Sequence, residues 1–287
     1  MNYRHAYHAG NFADVLKHAA FALVIERLKL KPAPFRVLDT HAGRGRYDLS
    51  ATEAMKTGEW IDGIGRLLAA PVPEDIVPLL APYLSAIEAA GGHARMPDAG
   101  VYPGSPMIAA HLMRPTDRLI ANELHGEDCA ALEAMFAGDR RVKVTTADAW
   151  STIRAHLPPL ERRGVILIDP PFEEPGEFNR IVQGLSDALR RFKTGIVMVW
   201  YPIKDERLVG QFRAEIEGAG YDKVLDVELR VTSTDVAGLA GCGLIIANPP
   251  FGLDAKLEVL VAFLAVRLGL DDTASAGTTW LARERAK

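Results

Sequence analysis

The sequence predicts an α/β fold built on a seven-stranded, mostly parallel sheet with an antiparallel last strand and a small inserted helical subdomain. The first observation is a set of short aliphatic or β-branched runs bounded by turn signals: Arg36 to Asp39, Arg118 to Glu123, Val142 to Thr146, Val165 to Ile168, Gly195 to Tyr201, Val224 to Val231 and Gly243 to Ala247. The second is that helical patterns separate most of them, among them Glu127 to Phe136, Phe178 to Phe192 and Lys204 to Glu217. Strand and helix in alternation make a doubly wound sheet, with ligands at the carboxyl ends of its parallel strands. The third is an exception: the last two strands are joined by a Gly-rich link too short for a crossover helix. They should form an antiparallel hairpin.

The first strand runs into Val37-Leu38-Asp39-Thr40-His41-Ala42-Gly43-Arg44-Gly45, where small residues let backbone approach a ligand. The third glycine of the dinucleotide fingerprint is missing, because Tyr47 and Asp48 follow, and a nicotinamide cofactor is thereby demoted. About seventy residues then precede the second strand, too many for one crossover. Ala51 to Leu68 is helical in composition, Pro71-Val72-Pro73 breaks it, and Ile76 to Ala90 resumes it before Gly91-Gly92. This places an inserted helical subdomain at residues 48–98, inside a main domain formed by 1–47 and 99–287. Tyr102-Pro103-Gly104-Ser105-Pro106 would start the delayed helix to Met113, with Ser105 typed as its N-cap.

Carboxylates end the next two strands. Glu123 follows the second strand and Asp148 the third; each alone is more often a helix cap or a solvated end, but in this order they suit the ribose hydroxyls and the adenine amine of a nucleoside. The fourth strand ends in Asp169-Pro170-Pro171-Phe172. Asp169 and the carbonyl of Pro170 can accept the two hydrogens of an exocyclic base amine while Phe172 stacks on the base. Pro-Pro is also an ordinary way to stop a strand. A second match, Asn248-Pro249-Pro250-Phe251, follows the last strand, and the predicted reversal of that strand puts it at the wrong end of the sheet. Asp169 is the catalytic candidate.

At 287 residues, 48% hydrophobic and 24% charged, the chain can bury a large core. Cys129 and Cys242 lack metal-ligand spacing, no metal is expected, and the absence of a signal or transit pattern suits a cytoplasmic location. No apolar run reaches the roughly 20 residues that span a bilayer, and Val259 to Leu270 is broken by Arg267. The net charge of -4 leaves nucleic acid open, since phosphate recognition depends on local clusters. Such clusters occur at Tyr3-Arg4-His5-Ala6-Tyr7-His8, at Lys17-His18, and at Arg44, Arg46, Arg162 and Arg163, although any one of these is more often a solvated charge.

Gly loop, strand-end acids and Asp-Pro-Pro-aromatic, in that order, resemble the class I (Rossmann-like) S-adenosylmethionine-dependent methyltransferases of the amino group type. The block from Tyr3 to His18, with Leu38-Asp39-Thr40-His41-Ala42-Gly43, Tyr102-Pro103-Gly104-Ser105-Pro106 and Ile166-Leu167-Ile168-Asp169-Pro170-Pro171, resembles the RlmJ family over nearly the whole chain. That family methylates the N6 amine of one adenine in bacterial 23S ribosomal RNA. The resemblance implies S-adenosyl-L-methionine as cofactor, S-adenosyl-L-homocysteine as product, Asp169 as catalytic residue, and His18, His41, Ser105, Glu123, Asp148, Ala149 and Asp169 around the cofactor. Tyr3 and Lys17 would belong to an N-terminal segment that closes on cofactor and target, beside Pro170 and Phe172. The expected partner is 23S RNA before full subunit assembly, met by a monomer. Phe172 departs from the family's frequent tyrosine, and residues 271–287 match poorly. The other classes considered are an adenine-N6 DNA methyltransferase, a protein glutamine methyltransferase and a non-catalytic RNA-binding protein.

Overall fold

A computed structural model describes residues 4–91, 100–235 and 238–284. Its centre is the strand Gly164-Val165-Ile166-Leu167-Ile168, buried at every position because both faces of the sheet are covered. With strands numbered in chain order, β1 is Arg36–Asp39, β2 Arg46–Asp48, β3 Val101–Pro103, β4 Arg118–Asn122, β5 Val142–Thr145 and β6 Gly164–Ile168, followed by β7 Ile196–Ile203, β8 Val224–Arg230, β9 Gly241–Ala247 and β10 Ser275–Ala282. The main sheet has the order β10-β8-β9-β7-β6-β1-β4-β5, and β2 pairs with β3 in a separate ribbon. The pairs from β7 to β5 through β6, β1 and β4 are parallel. β9 runs antiparallel to both β7 and β8, as the short link predicts.

The sheet therefore has eight strands rather than the seven expected. The added strand lies in the tail of residues 271–287, which is rich in Ala, Thr and charge. Its Thr278-Thr279-Trp280-Leu281 run has strand formers, and it needs only one neighbour, pairing antiparallel with β8 at the sheet edge.

Helices cover both faces. α1 is Phe12–Lys29, α2 Thr52–Thr57, α3 Arg66–Leu68, α4 Val77–Ala89, α5 Ser105–Leu112, α6 Gly126–Met135, α7 Ala149–His156, α8 Glu177–Arg191, α9 Glu206–Gly218 and α10 Leu253–Leu268. Val37, Leu119, Val165 and Met198 meet α1, α5 and α10 in one apolar cluster. Leu38, Ile120, Ile166 and Val197 meet α7, α8 and α9 in the other. The segment between β2 and β3 adds Trp60, Ile64, Leu67, Leu80 and Tyr83 to the first cluster, so it shares a core with α1. α1 is accordingly buried almost all round, and its polar residues have to find partners inside the protein. No described helix is long and apolar enough to cross a membrane.

Candidate active site

The carboxyl ends of β1, β4, β5 and β6 meet in one crevice. At the first, Gly43 and Gly45 take φ of 60° and 77°, and a Cβ on Gly43 would stand 2.1 Å from the Tyr47 hydroxyl. Glycine there is required by conformation and by space. The Gly43 N–H donates to Glu123 Oε2 (2.8 Å) and the His125 N–H to Glu123 Oε1 (2.7 Å), so one carboxylate ties the loop to the end of β4. Burial raises the Glu123 pKa against these two bonds.

Asn122 stitches the three strand ends together. Its Nδ2 donates to the carbonyls of Thr40 (3.1 Å) and Ala147 (2.8 Å), and its Oδ1 accepts from the Thr145 and Thr152 hydroxyls and the Ala147 N–H. Nothing in the sequence marks this residue, because its partners lie 23 to 82 positions away. Asp148 performs its bland role at the same time: it is the N-cap of α7, accepting from Ser151 N–H at 2.9 Å, and is exposed at the cavity margin. Ser105 corrects the sequence reading. The N-cap of α5 is Gly104 and Ser105 is the first helical residue, its hydroxyl turned instead to Asp39.

Asp169 closes β6 and is reached from α1. Lys17 Nζ donates to Asp169 Oδ2 and lies 2.8 Å from Asp14 Oδ1. Asp14, 1% exposed, also accepts from His5 Nε2 and from the Gly10 N–H, both at 2.9 Å. Burial opposes the Asp14 charge, but His5 and Lys17 lead the opposing interactions and the carboxyl is held well below the usual range. The sequence offered a signal for this network that went unread: Asp14, Lys17 and His18 share one helix face at i, i+3 and i+4.

The two histidines are neutral. His18 stacks on Tyr102 and bonds its hydroxyl through Nδ1 (2.8 Å), with Tyr83 next in the chain, and burial lowers its pKa to about 3. His41 Nδ1 faces both the Asp169 N–H (3.3 Å) and the Thr40 hydroxyl (2.9 Å). Burial lowers its pKa to about 4.

Two cavities result. One of about 250 Å³ is lined by His18, His41, Ser105, Glu123, Asp148 and Ala149. The other, of about 470 Å³, is lined by Pro170, Phe172, Trp200, Lys204, Asn11 and Glu59. Lys17 and Asp169 border both. Phe172 is held edge-on by Phe178 and Trp200 at 5.0 and 5.8 Å between ring centres. Tyr3 lies outside the described residues.

The second tetrapeptide is elsewhere. Asn248 Nδ2 donates to the carbonyls of Lys193 (2.9 Å) and Gly195 (2.8 Å), bracing the entry to β7, and Phe251 is 93% exposed. Among the described residues no group of three or more His, Cys, Asp or Glu is arranged to hold a metal ion.

Residues 32–282 match the family model described as "Ribosomal RNA large subunit methyltransferase D, RlmJ". The Escherichia coli protein named ribosomal RNA large subunit methyltransferase J is 38% identical over 285 residues, 99% of this chain and 100% of that one. Its Haemophilus influenzae namesake is 38% identical over 286 residues with the same coverage. A crystal structure of a Legionella pneumophila protein superposes with a TM-score of 0.86 at 31% identity, covering 95% of this chain and 98% of that one.

Proposed function

The chain belongs to the RlmJ family of ribosomal RNA large subunit methyltransferases, and we propose that it transfers a methyl group from S-adenosylmethionine to the N6 amine of one adenine in 23S ribosomal RNA. The observation that carries the reading is the position of Asp169, which with Lys17 and Pro171 lies on the border shared by the two cavities. A donor in one and a planar amine in the other would meet beside that carboxylate.

The smaller cavity suits the cofactor. Its Gly43 turn admits no side chain, Glu123 keeps free lone pairs for a ribose diol, Asp148 keeps a free oxygen for an adenine amine, and the His41 ring adds a polar group without a charge. S-adenosylmethionine bound there supplies a methyl on a sulfonium centre. His18, His41, Ser105, Glu123, Asp148, Ala149 and Asp169 would surround it.

In the larger cavity Phe172 offers a ring face to an unstacked base, and Pro170 and Asp169 offer acceptors to its amine. Accepting those hydrogens localises the nitrogen lone pair toward the methyl group; the proton can leave after transfer, since an adenine amine is hardly acidic at neutral pH. Lys17 donates to one Asp169 oxygen and leaves the other to the substrate.

On this reading residues 48–98 are an insertion into a methyltransferase domain made of 1–47 and 99–287. The protein acts as a cytoplasmic monomer, without a metal, on RNA not yet fully assembled into subunits. Tyr3 joins Lys17 at the target.

The test is transfer of radiolabelled methyl to unmodified, protein-free 23S RNA, to assembled large subunits and to duplex DNA, followed by nucleoside analysis. N6-methyladenosine from free RNA alone is expected, with Asp169→Ala inactive yet still binding cofactor. Label on no nucleic acid, or turnover retained in D169A, overturns the assignment.

A further inference from the structure

The amino ends of the same strands carry a charge arrangement that methyl transfer does not use. Arg36 and Arg118 are the first residues of β1 and β4 and stand side by side in parallel register. Lys143 pairs in register with Ile120, two residues beyond Arg118, so all three cations project from the α7 side of the sheet. Arg140 and Arg141 enter from the turn before β5 and His156 from the last turn of α7, and the six line a cavity of about 150 Å³.

The neighbouring carboxylates are already engaged. Glu161 pairs with Arg36 (2.9 Å), Asp139 with Arg141 (2.7 Å) and Asp117 with Arg114 (2.9 Å). Arg118, Arg140 and Lys143 make no ion pair among the described residues, although the charge of Arg118 is felt at Asp139. The carboxyl end of α7 supplies only about half a negative charge. Like charges on directly paired strand residues destabilise a sheet. Arg118 stands directly beside Arg36, and with Arg140 and Lys143 it gives a protein of net charge -4 three cations around one cavity that lack an ion pair among the described residues.

We propose that this cavity is a second phosphate-binding site, which holds the sugar-phosphate backbone of the RNA substrate at a distance from the methyl-transfer crevice. The inference rests on the reading of this protein as an RNA methyltransferase. The crevice lies at the other end of β1, β4 and β5, strands of four or five residues that span roughly 13–17 Å. β5 is the sheet edge, so a strand of RNA can pass around it from one end to the other. Phosphate contacts of this kind position the nucleic acid and add affinity without reading bases.

The test is the triple variant Arg118→Gln, Arg140→Gln, Lys143→Gln. Binding of full-length unmodified 23S RNA is measured against salt, and methyl transfer is measured on that RNA and on a short stem-loop holding the target adenine. Losing three phosphate contacts should flatten the slope of log K against log salt by about 2 to 3. The KM for the long RNA should rise several-fold, while kcat and KM on the stem-loop stay as in the wild type. Tm should hold or rise, because mutual repulsion has been removed. An unchanged slope refutes the site, and so does a Tm that falls by several degrees together with stem-loop activity, which would make the cations structural. Inorganic phosphate titrated at constant ionic strength separates the sources: phosphate bound by the wild type and not the variant, with no change in the RNA slope, overturns the backbone assignment in favour of the free anion. If the wild type methylates no RNA the function proposed above fails, whereas this site fails only on the binding slope.

Discussion

Replacing Asp39 by asparagine should change how stability depends on pH. Asp39 is fully buried at the end of β1, and its Oδ2 has no hydrogen-bond partner among the described residues. Burial pushes its pKa from 3.8 up to about 7; the Asp169 charge adds to the rise, and the Ser105 hydroxyl, the His41 N–H and Lys17 oppose it. The folded state thus holds this proton more tightly than the unfolded chain does. Stability is full below the unfolded value of 3.8, falls as pH rises toward 7, and falls no further beyond it. At 1.36 kcal/mol per pH decade the whole interval amounts to about 4 kcal/mol. D39N is neutral throughout, so its advantage over wild type should grow by about 3 kcal/mol between about pH 5 and 8. For 287 residues the unfolding entropy is about 0.6 kcal/mol per kelvin, which makes that about 5 °C in Tm. Urea unfolding followed by circular dichroism at each pH measures it. Parallel curves for wild type and variant would refute the raised pKa of this buried carboxyl. The same proton links to ligand binding: a cofactor of net positive charge seated nearby would depress the Asp39 pKa, so binding near neutral pH should release protons. Calorimetry in buffers of different ionisation enthalpy detects the release, and D39N should abolish it.

Asp14→Ala breaks a buried ion network and leaves the Gly10 N–H without its acceptor, so it should cost about 3–5 kcal/mol, read by urea unfolding at neutral pH. Because the folded pKa of Asp14 is depressed, its contribution is present above the unfolded value of 3.8 and lost as pH falls through the folded one; the variant should approach wild type in strong acid, and an undiminished gap there would contradict the depressed value. The two tetrapeptides provide a matched comparison. Phe251→Ser, at a 93% exposed ring, should leave stability within about 0.5 kcal/mol and methyl transfer unchanged, whereas Phe172→Ala should raise the KM for RNA. Equal effects on turnover would mean that position relative to the crevice does not decide the role.

The sequence exposed what is local and hid what is long-range. Each strand-end acid followed an aliphatic run, so Glu123, Asp148 and Asp169 could be found by reading along the chain. The reversal of β9 was legible because a Gly-rich link leaves no room for a crossover helix. β10 was not, because an edge strand buries only part of one face and Ser275-Ala276-Gly277 at its start has no aliphatic pattern. Asn122 and Asp14 were missed for a different reason. Asn122 has no local signature and acts through partners that only the fold assembles, whereas Asp14 shares a helix face with Lys17 and His18 and lacked only the long-range partner, Asp169, that shows what the face is for. The cation cluster is of the same kind: Arg36, Arg118 and Lys143 look like scattered surface charges until strand register puts them on one face of the sheet.

The contact between Lys17 and Asp169 decides which of the two can move a proton. Burial alone would lower the Lys17 pKa, yet Asp14 and Asp169 outweigh it and hold the ammonium well above its ordinary 10.5. Its stabilising contribution is therefore complete below 10.5 and is lost only as pH rises through the still higher folded value. Lys17 remains charged wherever the enzyme works, so it cannot take the proton from the methylated amine; it fixes the carboxylate and keeps it an acceptor. At saturating cofactor, where the Asp39 linkage no longer contributes, kcat should then be flat between about pH 7 and 9, with no limb assignable to a lysine base. Lys17→Met should lower kcat by about a hundredfold through a misplaced Asp169, while cofactor affinity changes much less, since the ammonium makes no contact with Glu123, Asp148 or the Gly43 turn on the far side of that cavity. A near-neutral limb in wild-type kcat that disappears in Lys17→Met would show that Lys17 titrates after all, and its role would no longer be confined to fixing the carboxylate at the junction of the two cavities.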